Sequence, residues 1–422
     1  MTGYNQEIIK FLKELIKIDT TKQPPKPNKP FGEGIFRALN FTLDKAKSLG
    51  FECHNYQNYV GEIVVGSGEE LAVLCHLDVV PVGDETKWDF PPFSGEIDGE
   101  FLYGRGAVDD KGPLSATLFA LKKLKDENFE FKKQIRFILG CDEESGWGCI
   151  DHYKKIRPLP ESGFSPDASF PVIYAEKGII HFNAYFNYNQ RLLESVSGGV
   201  ASNVVCDRAI AKCKIDSQLA KKYGLNVIDN QIESLGITAH ASEPQNGKNA
   251  INSLIAYLFE IGAIEKDCKN YLFDDLLGLK NICDETGNLT LSPNVIKIEK
   301  GKICLTCDLR YPATMNFNQI LPLIEKIGEI EILSHQPPLY NDKNSPLIST
   351  LCSVYNKISA ENAKPIAIGG GTYARALNLG CGFGPETSDE PLCAHQPNER
   401  IKLSKLEFMF NVYYNAIKEL CS

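Results

Sequence analysis

The chain has 422 residues, of which 43% are hydrophobic and 23% are charged, a composition typical of an ordinary globular protein. Acidic residues outnumber basic residues by 54 to 45, and the resulting net charge of -9 argues against binding to nucleic acid or to an anionic membrane. The length exceeds the roughly 250 to 300 residues at which a single hydrophobic core stops growing, so two domains are expected.

The start of the chain, MTGYNQEIIKFLKELIKID, spaces its apolar residues as an amphipathic helix does and lacks the uninterrupted apolar core of a signal peptide. No later stretch approaches the ~20 apolar residues of a membrane span. We therefore expect a cytoplasmic protein that does not enter the membrane. Its 14 cysteines are spread through apolar segments, as expected of small buried side chains in a reducing compartment, and we assign them no role.

The first part of the chain alternates helical and strand patterns. An N-terminal helix is followed by the proline-rich loop TTKQPPKPNKPFGEG and by a second helical pattern that ends at Gly50. The apolar runs EIVVGS, LAVLCHLD and IRFILGCDEE predict strands, and GPLSATLFALKKLKDEN predicts a helix between them. This alternation indicates an α/β domain.

From about residue 181 the strands become longer and alternate polar with apolar residues, as in IHFNAYFNY and KGKICLTCDLRYP. Helical segments near 249–262 and 315–329 separate them, which indicates an α+β unit with an antiparallel sheet. After SHQPPLYNDKNSP the α/β pattern resumes with a helix near 346–361, the strand KPIAIGG and a closing helix. The second domain is therefore predicted to be inserted into the first, with the first domain formed by 1–180 and 339–422 and the inserted domain by 181–338.

Carboxylate and imidazole side chains occur where predicted strands end. Each position has a structural explanation on its own, because an aspartate before a helix is commonly an N-cap and an acidic pair at a strand end is commonly solvated. In an open α/β sheet, however, ligands bind at the carboxyl ends of the strands. Two histidines with bridging carboxylates suit a pair of zinc or similar divalent ions. The candidates are His76 and Asp78 in LCHLDVVP, Asp109 and Asp110 in YGRGAVDDKG, Glu143 and Glu144 in CDEES, Asp167 in FSPDASFP, and His395 in EPLCAHQPNE.

The order of the H-x-D, G-x-x-x-D-D-K-G and D-E-E segments resembles the co-catalytic zinc exopeptidases, the family that includes aminoacylase, carboxypeptidase G and succinyl-diaminopimelate desuccinylase. Within that family the chain looks most like the PepV-type dipeptidases, and the resemblance covers nearly the whole chain. It implies a zinc-exopeptidase-type catalytic domain with a central mixed sheet flanked by helices, and an inserted α+β lid domain with an antiparallel sheet. The segments that carry it are CHLDVVPVGDETKWDFPPFSGEIDGEFLYGRGAVDDKG, DEESGWG, FSPDASFPVIYAEKG and ITAHASEPQNGKNA.

The resemblance also implies two divalent metal ions and their ligands. It makes Asp109 the carboxylate that bridges both ions, with His76 and Asp167 completing one site and Glu144 and His395 the other. Zn²⁺ is the ion expected, and Mn²⁺ or Co²⁺ also suit this ligand set.

Further residues complete the chemistry that the resemblance implies. Glu143 is expected to be the general base, which takes a proton from the water activated by the two ions and passes it to the leaving amine. Asp78 is expected to fix the tautomer of His76. A cis peptide bond is expected between Asp109 and Asp110.

The remaining candidates lie in the inserted domain and after it. His240, in GITAHASEPQNG, matches the lid histidine that stabilises the oxyanion of the tetrahedral intermediate. Asn203 matches a lid asparagine that assists it, and Arg310 matches an arginine that binds the substrate carboxylate. Arg375, in GGGTYARAL, lies in a loop that helps to line the substrate pocket of the PepV-type enzymes. The histidines that match none of these motifs, and are expected to be structural or exposed, are His54, His152, His181 and His335.

The function implied is a metal-dependent dipeptidase that hydrolyses the peptide bond of short, unblocked dipeptides. Two alternatives stay open: a deacylase or desuccinylase of the same fold that acts on N-acyl amino acids, and a non-catalytic binding protein on this scaffold. The inserted domain, at about 160 residues, exceeds the common domain size of roughly 100 to 150. In the PepV-type enzymes an enlarged lid supplies the histidine within the same chain, so we predict a monomer whose own His240 completes the site.

Overall fold

The computed structural model describes residues 3–387 and 393–422. The chain forms two compact units, and the second is inserted into the first. The sequence pattern predicts domain boundaries at 180/181 and 338/339. It does not indicate that the short segment 367–370 belongs to the second unit. The first unit consists of Met1–Tyr174, Asn341–Ile366 and Gly371–Ser422, and the second of Ala175–Tyr340 and Ala367–Gly370.

The first segment of the chain alternates helices and strands as predicted. Its amphipathic first helix buries Ile8, Leu12 and Leu15, which share one helical face. The elements are α1 (Gly3–Ile16), α2 (Glu33–Ser48), β1 (Glu52–Tyr56), β2 (Val60–Val65), β3 (Glu69–His76), β4 (Ile97–Asp98), β5 (Phe101–Tyr103), α3 (Lys111–Asp126), β6 (Lys133–Gly140), α4 (Gly148–Ile156), β7 (Ser162–Ser165), β8 (Ala168–Ser169) and β9 (Ile173–Glu176).

The inserted segment is richer in strands. Its elements are β10 (Gly178–Phe186), β11 (Leu193–Gly198), β12 (Arg208–Cys213), α5 (Ser217–Lys222), β13 (Asn226–Ile228), β14 (Gln231–Leu235), α6 (Ala250–Glu260), α7 (Lys266–Leu272), β15 (Cys283–Asp284), β16 (Gly287–Asn288), β17 (Thr290–Glu299), β18 (Lys302–Tyr311), α8 (Phe317–Ile324), β19 (Glu329–Gln336) and β20 (Leu339–Tyr340).

The last segment returns to the α/β pattern. Its elements are α9 (Pro346–Ser359), β21 (Ile366–Ile368), β22 (Leu379–Gly382), β23 (Pro385–Glu386), β24 (Arg400–Lys402) and α10 (Leu403–Leu420). Among the residues described, no helix is both long enough and apolar enough to cross a membrane. Most of the cysteines are buried, as expected of small apolar side chains.

The sheet of the first unit is mixed and runs in the order β1-β2-β6-β3-β7-β22-β9. Its central strands β6, β3, β7 and β22 are parallel, whereas β1, β2 and β9 pair antiparallel with their neighbours. His76 pairs with Gly140, so β3 and β6 end at the same level. Helix α3 is almost wholly buried and packs against α1 and α10. The predicted mixed sheet flanked by helices is confirmed, and its register places the residues that follow β3 and β6 side by side.

The sheet of the second unit is antiparallel throughout, in the order β13-β14-β12-β11-β17-β18-β10-β19. Helix α6 packs against β12 and β14 and buries Ile251, Leu254, Ile255 and Leu258 in one apolar core with the strands. The α+β unit with an antiparallel sheet that the sequence predicts is therefore confirmed.

Candidate metal centre and active site

The predicted metal ligands lie together at the carboxyl edge of the first unit's sheet. His76 is the last residue of β3, and Glu144 lies in the turn after β6. Asp109 precedes α3, and Asp167 lies in the short connection between β7 and β8. His395 lies in the loop before β24, with a left-handed backbone φ of 63°. Because β6, β3 and β7 run parallel, their carboxyl ends meet at one edge, where ligands bind in open α/β sheets.

Asp109 lies in the middle of this group. Its Oδ1 is 2.9 Å from Nε2 of His76, and its Oδ2 is 2.8 Å from Nε2 of His395. Nε2 of His76 is also 3.6 Å from Oδ2 of Asp167, and Nε2 of His395 is 3.2 Å from Oε1 of Glu144. The two oxygens of one carboxylate therefore face two different histidines, as expected of a ligand that bridges two metal positions.

Two groups of potential ligand atoms meet at His76. Atoms of His76, Asp109 and Glu144 lie within 4.8 Å of one another, and so do atoms of His76, Glu143 and Asp167. Glu143 belongs to the second group, so distance alone brings both adjacent glutamates within reach of a metal. Their division into a base and a ligand stays a prediction.

The acids of the site are only partly exposed, and they repel one another. Burial and the neighbouring Asp109 raise the pKa of Asp167 to about 7. Burial, followed by the charge of Asp167, raises the pKa of Glu143 well above its usual range. Burial acts to lower the pKa of His395, but its hydrogen bonds to Asp109 and Glu144 raise that pKa to about 11. Imidazole nitrogens and crowded carboxylate oxygens around one bridging carboxylate fit two divalent cations, whose charge would keep these acids ionised.

Asp78 is buried and holds the turn that carries both glutamates. Its Oδ1 accepts a hydrogen bond from the N–H of Glu143, and its Oδ2 accepts one from the N–H of Glu144, each at 3.0 Å. Nδ1 of His76 lies 2.9 Å from the backbone oxygen of Asp78 and 3.7 Å from its carboxylate. In the structure, the partner that sets the tautomer of His76 is therefore the backbone carbonyl of Asp78 and not its carboxylate. A carbonyl can only accept, so the proton lies on Nδ1 and Nε2 faces the site.

Glu399 holds the loop that carries Asp109. It is fully buried, and its Oε1 accepts hydrogen bonds from the N–H groups of Gly106, Val108 and Asp109 at 3.0, 2.9 and 3.3 Å. Its Oε2 lies 2.7 Å from Nη1 of the buried Arg105. The C-terminal loop that supplies His395 therefore also fixes the loop of Asp109.

Asp110 ties the same loop to β3, because its Oδ2 accepts a hydrogen bond from the N–H of His76 at 3.0 Å. The peptide bond between Asp109 and Asp110 is cis, as predicted.

Aromatic side chains flank Glu143. Nε1–H of Trp147 donates to Oε1 of Glu143 at 3.3 Å, and the Trp147 ring packs edge-on against Tyr373 with 5.3 Å between ring centres. Tyr373 is buried and begins the 3₁₀ turn Tyr373–Ala376 that contains Arg375. The Arg375 guanidinium lies against Gly371 in the first unit.

The second unit brings Asn203 and His240 onto paired segments. Val204 and His240 form an antiparallel bridge, and the N–H of Ala241 donates to the carbonyl of Asn203 at 2.9 Å. Nδ1 of His240 lies 2.6 Å from Oγ of Ser242. The two candidates of the lid therefore belong to one local backbone arrangement.

Arg310 is buried on β18. Its Nε and Nη2 are 2.8 and 3.0 Å from the two carboxylate oxygens of Asp308, and its Nη1 donates to the carbonyl of Gly369 at 2.8 Å. Nε2 of His181 lies 3.0 Å from Asp308, and Nδ1 of His181 lies 3.1 Å from Oγ of Ser334. A guanidinium has five N–H groups. The bonds of Arg310 use the one on Nε and one on each terminal nitrogen. One N–H on each terminal nitrogen is not used by these three bonds.

Sequence reasoning missed residues that support the site. Asp308 and Ser242 each stand two positions from a predicted site residue, a local spacing that could have drawn attention to them. His181 was expected to be structural or exposed, and the structure pairs it with Asp308. No local pattern distinguishes Glu399.

Comparison with known proteins adds independent findings. Residues 72–419 match the peptidase family M20/M25/M40. The chain is 34% identical to "Putative dipeptidase YtjP" of Bacillus subtilis (strain 168), over 98% of this chain and 97% of that protein. It is also 34% identical to "Putative dipeptidase MW1694" of Staphylococcus aureus (strain MW2), over 99% of this chain and 98% of that protein. The solved structure of the dipeptidase Dug1p from Saccharomyces cerevisiae has a TM-score of 0.62 with it, at 15% identity, over 98% of this chain and 96% of that chain.

A mixed-sheet unit, an inserted antiparallel unit and a cluster of histidines and carboxylates at strand ends define a class of hydrolases with paired metal positions. The family match and the close relatives show that the chain belongs to the peptidase family M20/M25/M40. It is therefore a hydrolase that acts on peptide bonds, and both the resemblance and the enzyme class predicted from the sequence are confirmed.

Proposed function

We propose that this chain is a metal-dependent dipeptidase that hydrolyses the peptide bond of short, unblocked dipeptides. The observation that carries the proposal is the carboxylate of Asp109, whose two oxygens face two histidines while Glu143 stands within the same cluster. Relatives named as dipeptidases, aligned over nearly their whole length, support the substrate class.

Two divalent ions would be held by five side chains. Zn²⁺ suits this mixture of imidazole and carboxylate ligands, and Mn²⁺ and Co²⁺ are compatible with it. When bound, the ions would polarise the scissile carbonyl and lower the pKa of the attacking water towards roughly 7. The proposed ligands are His76 and Asp167 at one position, Glu144 and His395 at the other, and Asp109 bridging both.

Glu143 is the proposed general base. Its carboxylate would take a proton from the attacking water and deliver it to the nitrogen of the leaving amine. Asp78 fixes its backbone N–H, and the indole of Trp147 contacts its Oε1 at 3.3 Å, so the carboxylate is oriented before a substrate arrives.

The lid would complete the site when it closes and excludes water. His240 would donate a hydrogen bond to the oxyanion of the tetrahedral intermediate, and Asn203 would assist. Arg310 would bind the C-terminal carboxylate of the dipeptide through its remaining terminal N–H groups, and Arg375 would line the substrate pocket. We propose that a cytoplasmic monomer performs this reaction, with its own His240 in its own site.

Substrate specificity tests the proposal directly. Protein loaded with Zn²⁺, Mn²⁺ or Co²⁺ should hydrolyse dipeptides and leave N-acetyl and N-succinyl amino acids intact. Glu143→Ala protein, prepared in the same way, should be inactive, which excludes a contaminating peptidase. Preference for N-acyl amino acids would instead make the chain a deacylase, and metal-loaded protein without turnover of any amide would make it a binding protein.

A further inference from the structure

His240 makes two contacts with Ser242 through a single ring nitrogen. Oγ of Ser242 lies 2.6 Å from Nδ1, and the backbone N–H of Ser242 donates to Nδ1 at 3.3 Å. The intervening Ala241 is paired with Asn203, so this segment is anchored to the neighbouring backbone.

These contacts decide which ring nitrogen carries the proton of a neutral His240. A hydroxyl can donate or accept, so the contact with Oγ alone fits either tautomer. A backbone N–H can only donate, so Nδ1 must present its lone pair to Ser242. The proton of the neutral ring therefore lies on Nε2, and the hydroxyl of Ser242 acts as a second donor to Nδ1.

We propose that Ser242 is a positioning residue that fixes His240 as the tautomer with its proton on Nε2. This tautomer presents an N–H donor at Nε2, which is the group that stabilises an oxyanion. The opposite tautomer would present a lone pair there and repel the oxyanion. The inference rests on the proposed function, because that function assigns the oxyanion to His240.

Close packing holds Ser242 in place. A Cβ on Gly369 would lie 3.1 Å from Cβ of Ser242 and 3.4 Å from its carbonyl oxygen, so the absent side chain allows the two segments to approach. The carbonyl of Gly369 also accepts the hydrogen bond from Nη1 of Arg310. One glycine thus contacts both the support of His240 and the arginine proposed to bind the substrate carboxylate.

Nitrogen-15 chemical shifts report the tautomer without any substrate. Full-length, Zn²⁺-loaded protein labelled with nitrogen-15 histidine is measured at a pH where the ring is neutral, and the His240 signals are assigned by their loss in His240→Gln. We expect Nδ1 to show the downfield shift of an unprotonated nitrogen and Nε2 the upfield shift of an N–H. A proton on Nδ1 would overturn the proposal. This outcome is independent of whether dipeptides are the substrate.

Variants of Ser242 test whether the tautomer and the turnover rate depend on its hydroxyl. Ser242→Ala removes the shorter of the two hydrogen bonds to Nδ1 and leaves the longer backbone N–H bond of 3.3 Å, which holds the ring less firmly. Its nitrogen-15 spectrum should therefore show some of the opposite tautomer, and kcat should fall about tenfold at unchanged KM. Ser242→Thr keeps a hydroxyl and should recover most of the activity. Ser253→Ala, on α6, is the matched control and should retain the kcat of the wild type.

The kinetic outcomes are also decisive. A wild-type kcat for Ser242→Ala, or a change confined to KM, would contradict the positioning role. Metal content and thermal unfolding of each variant show whether a loss of kcat reflects a loss of fold. If Ser242→Ala does not fold, the kcat of Ser242→Thr and the nitrogen-15 spectrum of the wild type test the proposal instead. If the wild type hydrolyses only N-acyl amino acids, the proposed function fails, and the same comparison is made with that substrate.

Discussion

Replacing Glu399 by glutamine tests how the loop of Asp109 is held. The substitution preserves volume and one oxygen for the backbone N–H groups, but it removes the charge that faces Arg105 at 2.7 Å. The side chains of Arg105 and Glu399 are 2% and 0% exposed, so water cannot replace the lost counter-charge. Breaking a buried ion pair by removing one partner costs about 3 to 5 kcal/mol. Because hydrogen bonds to the loop survive, we expect a loss of stability of about 3 kcal/mol, at the lower end of this range. Such a loss corresponds to a decrease in Tm of roughly 6 to 12 °C.

The same substitution should weaken metal binding about 10- to 100-fold, because residues that orient metal ligands contribute that much to affinity. Calorimetry of the metal-free protein measures the first effect, and Zn²⁺ titration against a competing chelator measures the second. Glu14→Gln is the control, since Glu14 pairs with Lys17 at the surface and should contribute less than about 1 kcal/mol. If Glu399→Gln behaved like this control in both measurements, the loop would hold its shape without Glu399 and the reasoning would be refuted.

Three further predictions concern other residues. Glu143→Ala should lose several orders of magnitude in kcat while it keeps both metals, whereas Glu144→Ala should lose metal, and metal analysis showing equal loss would reject the division. Burial acts to raise the pKa of Asp308, but Arg310 and His181 together outweigh it and the net pKa is lowered. The stability lost in Asp308→Asn, measured by urea unfolding, should therefore be constant above about pH 4 and shrink as the pH falls through the folded-state pKa. A difference that grows in acid would contradict this sign. A mixture of inactive Glu143→Ala and inactive His240→Ala should stay inactive if each monomer supplies its own His240, and recovered activity would show that subunits share sites.

The positions of the proposed metal ligands could be predicted because strand ends carry a local signal. An apolar run that stops at carboxylates marks where a buried strand leaves its sheet, and β6 ends at Gly140 just before Glu143 and Glu144. His76 likewise closes β3. The parallel pairing that sets these two strands side by side joins segments far apart in sequence. Residue pattern alone does not contain that pairing, and only the family resemblance implied it.

The supporting residues divide in the same way. Asp308 and Arg310 are two apart on one strand and so share a face, and His240 and Ser242 are also two apart. Such pairs could be found from spacing. Glu399 acts on a loop nearly 300 positions earlier, with 294 positions between it and Arg105. A polar contact of that range exists only once the tertiary fold has formed, so a single sequence gives no sign of it.

Asp78 orients both of the adjacent glutamates to which different roles are proposed. Neighbouring residues in a turn point in different directions, and Asp78 fixes that turn by accepting one N–H on each carboxylate oxygen. In Asp78→Asn the amide nitrogen would face one of these N–H groups, donor against donor, so Glu143 and Glu144 should be displaced together. We expect a lower kcat and weaker binding of the metal at Glu144. The tautomer of His76 should persist, because its partner is the backbone carbonyl of residue 78. Metal stoichiometry, kcat and nitrogen-15 shifts of His76 check this, and a changed tautomer with unchanged kcat would show that the carboxylate serves the histidine instead of the turn.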